Sequence, residues 1–176
     1  MKIYAIRHGL TAMNKARLIN GHLDEPLAEE GIEQAENARS ILPKTLKKIY
    51  CSPLLRAKQT AEILNEDLNL PITYNDGLME VFFGDLEGSD YGIEIQEKHK
   101  EVVYDWHNVG GEDVFDVKKR LLVTLKKINE ENLDSEALLV THGGIIRMLY
   151  FLEKGKPQRN IDNLSLHVFE LDKILK

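Results

Sequence analysis

Two short stretches carry the residues best suited to chemistry. Ile6-Arg7-His8-Gly9 and Val140-Thr141-His142-Gly143 each end an apolar run in a histidine followed by glycine. A third run ends in Cys51-Ser52-Pro53, with Arg56 one turn into the segment behind it. If the three runs are strands of a parallel sheet, their ends share the edge where such sheets hold ligands. Two guanidinium groups and two imidazoles would then surround one point and repel one another unless an anion lies between them. Phosphate fits, because a guanidinium fork matches its oxygens two at a time. Gly9 would let the backbone approach it closely.

Metal binding is the competing use of paired histidines. The chain has no His-Glu-x-x-His spacing and one cysteine, Cys51, so neither a zinc-protease helix nor a multi-cysteine site is available. Arg7 beside His8 would repel a dication. No metal and no cofactor is expected. With phosphate bound, a neutral His8 can act as a nucleophile, since nearby arginines disfavour the imidazolium. The leaving oxygen then needs a proton, which one carboxyl group can supply before it activates water. Glu80, placed after apolar Leu78-Met79, is the candidate, and partial burial is expected to raise its pKa. Asp85 and Glu87 are the next choices and read as turn structure. His22, His99, His107 and His167 lack comparable support. His22 reads as a solvated loop residue, with a substrate contact as the alternative, and His167 as structural.

Elements must position these groups. Residues 2 to 6 read as a buried strand, 49 to 51 and 72 to 74 as short strands, 137 to 141 as a second buried strand and 164 to 171 as the last. Helices are expected from about Ala28 to Leu42, Leu54 to Leu64, Asp113 to Asn129 and Ile145 to Leu152, with a shorter one near Ile95 to Trp106. In the first, Ile32, Ala35, Ala38 (or Arg39) and Leu42 would share a face; Ala28 is a poor cap, partly offset by Glu29 and Glu30. Leu10 to Pro26 is a loop with a helical turn near Asn14 to Arg17. Tyr104 and Trp106 are expected in the core, with a lid over the substrate as the alternative, and Cys51 as a small buried residue. Strands alternating with helices give an α/β fold, a three-layer α/β/α sandwich on a mostly parallel sheet, in one domain spanning residues 1–176.

Composition narrows the class. The 176 residues are 43% hydrophobic and 30% charged, with a net charge of −6, which suits a globular protein and argues against a nucleic-acid partner. No run reaches membrane-spanning length. Only Ile3 to Ile6 separate Lys2 from Arg7, so no signal peptide and a cytoplasmic location are expected. A homodimer is left open.

The ordered set of motifs resembles the histidine phosphatase superfamily, in its phosphoglycerate-mutase-like branch. The matching residues are Arg7-His8-Gly9 with Thr11 and Asn14, Gly21-x-x-Asp24-x-Pro26-Leu27, and Gly31 with Gln34-Ala35. Then come Ser52-Pro53-Leu54-x-Arg56-Ala57-x-Gln59-Thr60-Ala61 and Leu78-x-Glu80-x-x-x-Gly84-Asp85-x-Glu87-Gly88. Gly111-Glu112, Arg120 and Val140-Thr141-His142-Gly143-Gly144 complete it. The resemblance implies that His8 is the phosphorylated nucleophile and Glu80 the proton donor. It implies that Arg7, Arg56 and His142 hold the phosphoryl oxygens. Asn14 and the backbone of Asn20-Gly21 and Gly143 would complete the substrate contacts, with no metal. Leu10, Asn20, Ala28 and Leu86 depart from the usual pattern; none removes a catalytic group.

The resulting expectation is a metal-independent phosphomonoesterase acting on small phosphorylated metabolites. A phosphoglycerate mutase is the alternative. Mutases of the family carry Glu-Arg-x-Tyr-Gly at the acid position, where this chain reads Glu80-Val81-Phe82-Phe83-Gly84, and they are longer. A silent phospho-ligand-binding module is the third reading, disfavoured by the presence of His8, Glu80 and both arginines. The short chain leaves little for a cap, which suggests an open site.

Overall fold

The computed structural model describes residues 1–132 and 135–176. Five strands form one sheet: β1 (Lys2–Arg7), β2 (Leu46–Cys51), β3 (Ile72–Tyr74), β4 (Glu136–Thr141) and β5 (Leu166–Glu170). Their order is β3-β2-β4-β1-β5, all parallel except the edge strand β5. The helices are α1 (Ala12–Ala16), α2 (Glu29–Ala38), α3 (Leu55–Asn65), α4 (Ile93–Glu101), α5 (Val114–Glu131), α6 (Gly143–Lys154) and α7 (Leu171–Ile174).

The central strands are apolar almost throughout because both faces are covered. Side chains alternate across the sheet. Ile3 and Ala5 of β1, with Ala137 and Leu139 of β4, pack against Val117, Leu121 and Leu125 of α5 and Ile145 and Leu149 of α6. Ile6, Leu138 and Val140 pack on the opposite side against Ala35 of α2 and Ala57, Ala61 and Leu64 of α3. The three-layer α/β/α sandwich expected from the sequence is the fold.

Register decides where the chemistry lies. Arg7 pairs with Thr141, and Cys51 with Val140. The ladder runs one step further, with His8 N–H donating to Thr141 O and Ser52 N–H to Val140 O, both at 3.0 Å. His8, Ser52 and His142 therefore leave three adjacent strands at the same carboxyl edge.

Several boundaries differ from the sequence reading. The helix expected over 28–42 ends at Ala38 and continues as a 3-10 turn to Ile41. Ile32, expected on its buried face, is 40% exposed. The helix expected near 95–106 runs from Ile93 to Glu101, where Val102 adopts the left-handed conformation and stops it. The last strand ends at Glu170, and one turn of helix follows. Tyr104, Trp106 and Cys51 are buried as expected.

Candidate active site

A cavity of about 560 Å³ opens at the carboxyl edge. Arg7, His8, Asn14, Asn20, Gly21, Arg56, Glu80 and Gly143 all line it, while His142 lies fully buried behind His8 with ring centroids 5.1 Å apart.

His8 is 3% exposed. Its Nδ1 lies 2.7 Å from Gly9 O. A carbonyl only accepts, so Nδ1 carries the proton and Nε2 keeps its lone pair. Arg56 Nε donates towards that lone pair at 3.3 Å. Burial, then Arg56 and Arg7, hold the His8 pKa well below 6.5. The imidazole is neutral at physiological pH, as the sequence argument required.

Arg56 is wholly buried. Its terminal nitrogens donate to Leu23 O at 2.8 Å and Gly21 O at 2.7 Å. Five N–H groups are available, so these bonds and the one to His8 leave two for a ligand. Gly21 therefore also anchors Arg56 through its carbonyl. It adopts φ +48°, and a Cβ there would meet the Glu87 carboxylate at 1.8 Å. Glu87 Oε1 accepts from His22 N–H and Phe83 N–H, which makes Glu87 a brace between two loops.

Arg7 donates to Ile161 O at 2.6 Å, and its Nε is buried without a protein partner. Burial, followed by Arg147, lowers its pKa to about 10, and it stays charged. His142 Nε2 lies 2.7 Å from Ser52 Oγ. Leu54 N–H donates to that oxygen, so the hydroxyl proton can serve His142 Nε2. The imidazole proton then sits on Nδ1, buried and unpartnered. Burial, then Arg56, holds His142 neutral as well. Asn20 Nδ2 donates to Thr11 Oγ1 and Glu25 Oε1, while its Oδ1 is buried without a partner. Asn14 Oδ1 receives Asn163 Nδ2 at 3.4 Å, and the same amide donates to His8 O at 2.8 Å.

Glu80 corrects one expectation. Burial alone would raise its pKa. His99, the N–H groups of Val81 and Gly144, and Arg147 oppose it, and the net direction is down. The Gly144 N–H reaches both carboxylate oxygens, at 3.1 and 3.2 Å, from the first turn of α6. A helix N-terminus stabilises the anion. Glu80 is thus a carboxylate in the free protein. Gly144 is required there, since a Cβ would lie 2.3 Å from Glu80 Oε1.

The Glu80 loop is held from behind. Arg120 donates to Gly77 O, Met79 O and Glu80 O and pairs with Glu112, which in turn accepts from Phe82 N–H. His22 is not a solvated loop residue: its Nε2 lies 2.7 Å from Glu80 O.

Sequence reasoning gave no role to several wall residues. His99 is 4% exposed, 3.9 Å from Glu80 Oε1, and its Nδ1 faces Tyr91 Oη. Burial, then Arg147, lowers its pKa to about 3. Arg147 of α6 and Asn163 complete this group, and α4 adds Gln96 and Lys100. The open site expected from chain length is partly walled. One-residue matches on helices carry no signal in a single sequence; Arg147, one turn after Gly143-Gly144, was the one that spacing could have flagged. Among the described residues, one grouping has metal-ligand spacing, His107 with Asp113 and Asp116, and it lies at the start of α5 outside the cavity. No helix among them is long and apolar enough to cross a membrane.

The family model described as histidine phosphatase superfamily (branch 1) matches residues 3–174. The chain belongs to the histidine phosphatase superfamily. It is 32% identical to the adenosylcobalamin/alpha-ribazole phosphatase of Escherichia coli, over 89% of this chain and 81% of that one. It is 33% identical to phosphoglycerate mutase-like protein 4 of Arabidopsis thaliana, over 97% and 79%. The solved structure of Bacillus stearothermophilus YhfR superposes with a TM-score of 0.82 at 28% identity, covering 96% of this chain and 90% of that one. The histidine phosphatase fold thus accounts for nearly the whole chain.

Proposed function

We propose that this histidine phosphatase family member is a metal-independent phosphomonoesterase that hydrolyses small phosphorylated metabolites through a phosphohistidine at His8. The observation that carries the reading is the neutral, buried His8 with Nδ1 tied to Gly9 O and the Nε2 lone pair beside Arg56. Nε2 attacks phosphorus, the bond to the alcohol oxygen breaks, and Glu80 delivers a proton to that oxygen. Water then attacks the phosphohistidine with Glu80 as base, and inorganic phosphate leaves. Arg7, the two uncommitted N–H groups of Arg56, Nδ1–H of His142 and the Gly143 backbone would hold the phosphoryl oxygens.

An ionised Glu80 needs a source for its proton. The phosphoryl group brings negative charge beside it, and a like charge raises a carboxyl pKa. Substrate binding itself would therefore protonate Glu80.

Hydrolysis is favoured over mutase transfer by Val81 and Phe83. Both are buried and apolar, so neither offers a polar group to hold a second acid function beside the phosphohistidine. The test is a screen of phosphorylated metabolites, alpha-ribazole phosphate included, with EDTA present, alongside 3- to 2-phosphoglycerate interconversion. Phosphate release unchanged by EDTA and exceeding interconversion is expected. Loss restored by Zn²⁺ or Mg²⁺, or faster interconversion stimulated by 2,3-bisphosphoglycerate, would overturn the reading.

A further inference from the structure

His99 is a buried histidine of the cavity wall that the phosphoryl chemistry leaves without a task. It stands on α4 between Phe83 and Tyr104, whose rings meet it edge-on at centroid distances of 5.1 and 5.7 Å. An imidazole packed this way has little room to turn. Its Nδ1 is hydrogen-bonded to Tyr91 Oη, and Gln96 Nε2 pins that tyrosine by donating to Tyr91 O at 2.6 Å. Its Nε2 is buried without a hydrogen-bond partner, 3.9 Å from Glu80 Oε1. A lone pair aimed at a carboxylate oxygen would be repelled. The proton therefore belongs on Nε2, and Nδ1 accepts from the tyrosine hydroxyl. Gly144 keeps the two groups face to face, since a Cβ there would lie 2.5 Å from His99 Nε2.

The two oxygens of Glu80 are not equivalent. Oε1 accepts from Val81 N–H at 2.9 Å and Gly144 N–H at 3.1 Å, and it is the oxygen that His99 faces. Oε2 meets Gly144 N–H alone among the described residues, at 3.2 Å. A proton settles on the oxygen with fewer donors, because each donated bond favours the charged form. That oxygen is Oε2. The gap from His99 to Oε1 is too long for a hydrogen bond. Catalytic hydrogen bonds are often long in the free protein and tighten when substrate is bound.

We propose that His99, its tautomer set by Tyr91, is a positioning residue that donates Nε2–H to Glu80 Oε1 in the substrate complex and leaves Oε2 to carry the proton for the departing alcohol. The alcohol rests on the phosphatase reading; the tautomer of His99 does not. In the step, the O–H bond breaks at Oε2 and forms at the alcohol oxygen. The His99 Nε2–H bond stays intact and stabilises the carboxylate that results. Burial, then Arg147, lowers the His99 pKa to about 3, so the ring gives Glu80 a hydrogen bond and no proton. The other charged and titratable groups around the pair are Arg7 of β1, Lys100 of α4 itself, and Tyr91 and Tyr104 from the loops on either side of α4.

Two measurements test it. In the first, nitrogen NMR of ring-labelled histidine reads the tautomer in the unaltered chain, with the His99 signals assigned by their loss in His99→Gln. The Nε2–H form is expected, with no titration down to about pH 5. An Nδ1–H tautomer, or titration near the ordinary histidine value, would overturn the proposal. In the second, single-turnover phosphorylation is compared for an alkyl phosphate and p-nitrophenyl phosphate. His99→Leu should slow the alkyl phosphate about 10- to 100-fold, as loss of a bond to a charged and misplaced group implies, and slow p-nitrophenyl phosphate far less. His99→Gln, which keeps a donor near the place of Nε2, should recover much of the loss. Tyr91→Phe removes only the hydroxyl and should show the same selectivity in milder form, so the test does not depend on the leucine variant folding. Equal slowing of both substrates, or no recovery with glutamine, would reduce His99 to a packing residue. No phosphate release by the unaltered chain would instead sink the phosphatase reading, and the tautomer alone would then uphold or overturn the contact with Glu80.

Discussion

At the scale of single residues, the account turns on two protons. His8 is kept neutral by burial and by arginines, and its tautomer is set by Gly9 O. Glu80 is kept ionised by Gly144 and Val81 N–H groups and must gain a proton when the phosphoryl group arrives. This yields a prediction about leaving groups. An alkoxide needs Glu80's proton, whereas nitrophenolate departs without it. Glu80→Gln should slow single-turnover phosphorylation by alkyl phosphates ~10²–10⁴-fold, the usual worth of a general acid. It should slow p-nitrophenyl phosphate far less. Equal slowing would move the acid role elsewhere. Glu87 is a poor successor, since its Oε1 already accepts two backbone N–H groups.

At the scale of elements, strand ends supply the proposed nucleophile and a helix start holds the proposed acid. β1 and β4 deliver His8 and His142, while the first turn of α6 fixes Glu80. The Arg120–Glu112 clamp connects α5 to the Glu80 loop through three carbonyls. Arg120→Ala should leave those carbonyls unpaired and let Glu80 drift. Displacements near 1 Å at such a site cost on the order of 10²-fold. Steady-state kinetics should show the loss mainly in kcat; a loss confined to KM would contradict a positioning role. The strands and their shared edge were legible because a parallel strand buried on both faces is a continuous apolar run that ends where burial ends. The 3-10 turn after Ala38 and the end of α4 were not. A left-handed Val102 stops α4 where sequence rules look for glycine, and three aromatic rings, Phe83, Tyr104 and Trp106, stack below it. His99 was illegible for the same reason: its place beside Glu80 depends on how α4 docks. Likewise Glu80's direction of shift was misread, because beside the neighbouring Val81 N–H its charge is stabilised by the Gly144 N–H of a helix 64 residues away and by His99 of α4.

At the scale of the molecule, a chain of net charge −6 gathers around one cavity the arginines that pair with no carboxylate among the described residues. Stability should record the buried neutral imidazoles. His8 and His142 titrate well below 6.5 in the folded chain, and His99 near 3. Below about pH 6.5 the unfolded chain takes up protons that the folded chain refuses, so stability falls as pH falls. Each histidine contributes ~1.4 kcal/mol per pH unit until its folded pKa is reached. Glu80, also lowered, adds the same sign below its ordinary value of 4.5. His107, raised by Asp116 at the surface, works the opposite way. Urea unfolding at pH 7.5, 6 and 5 should show a steep decline; a flat profile would mean that these imidazoles are not held neutral. The central claim is tested by rapid quenching after mixing the protein with substrate labelled in the phosphoryl group. The account predicts acid-labile, base-stable label on His8, absent in His8→Ala, which should also lack turnover. Label on any other residue, or full turnover by His8→Ala, would contradict it.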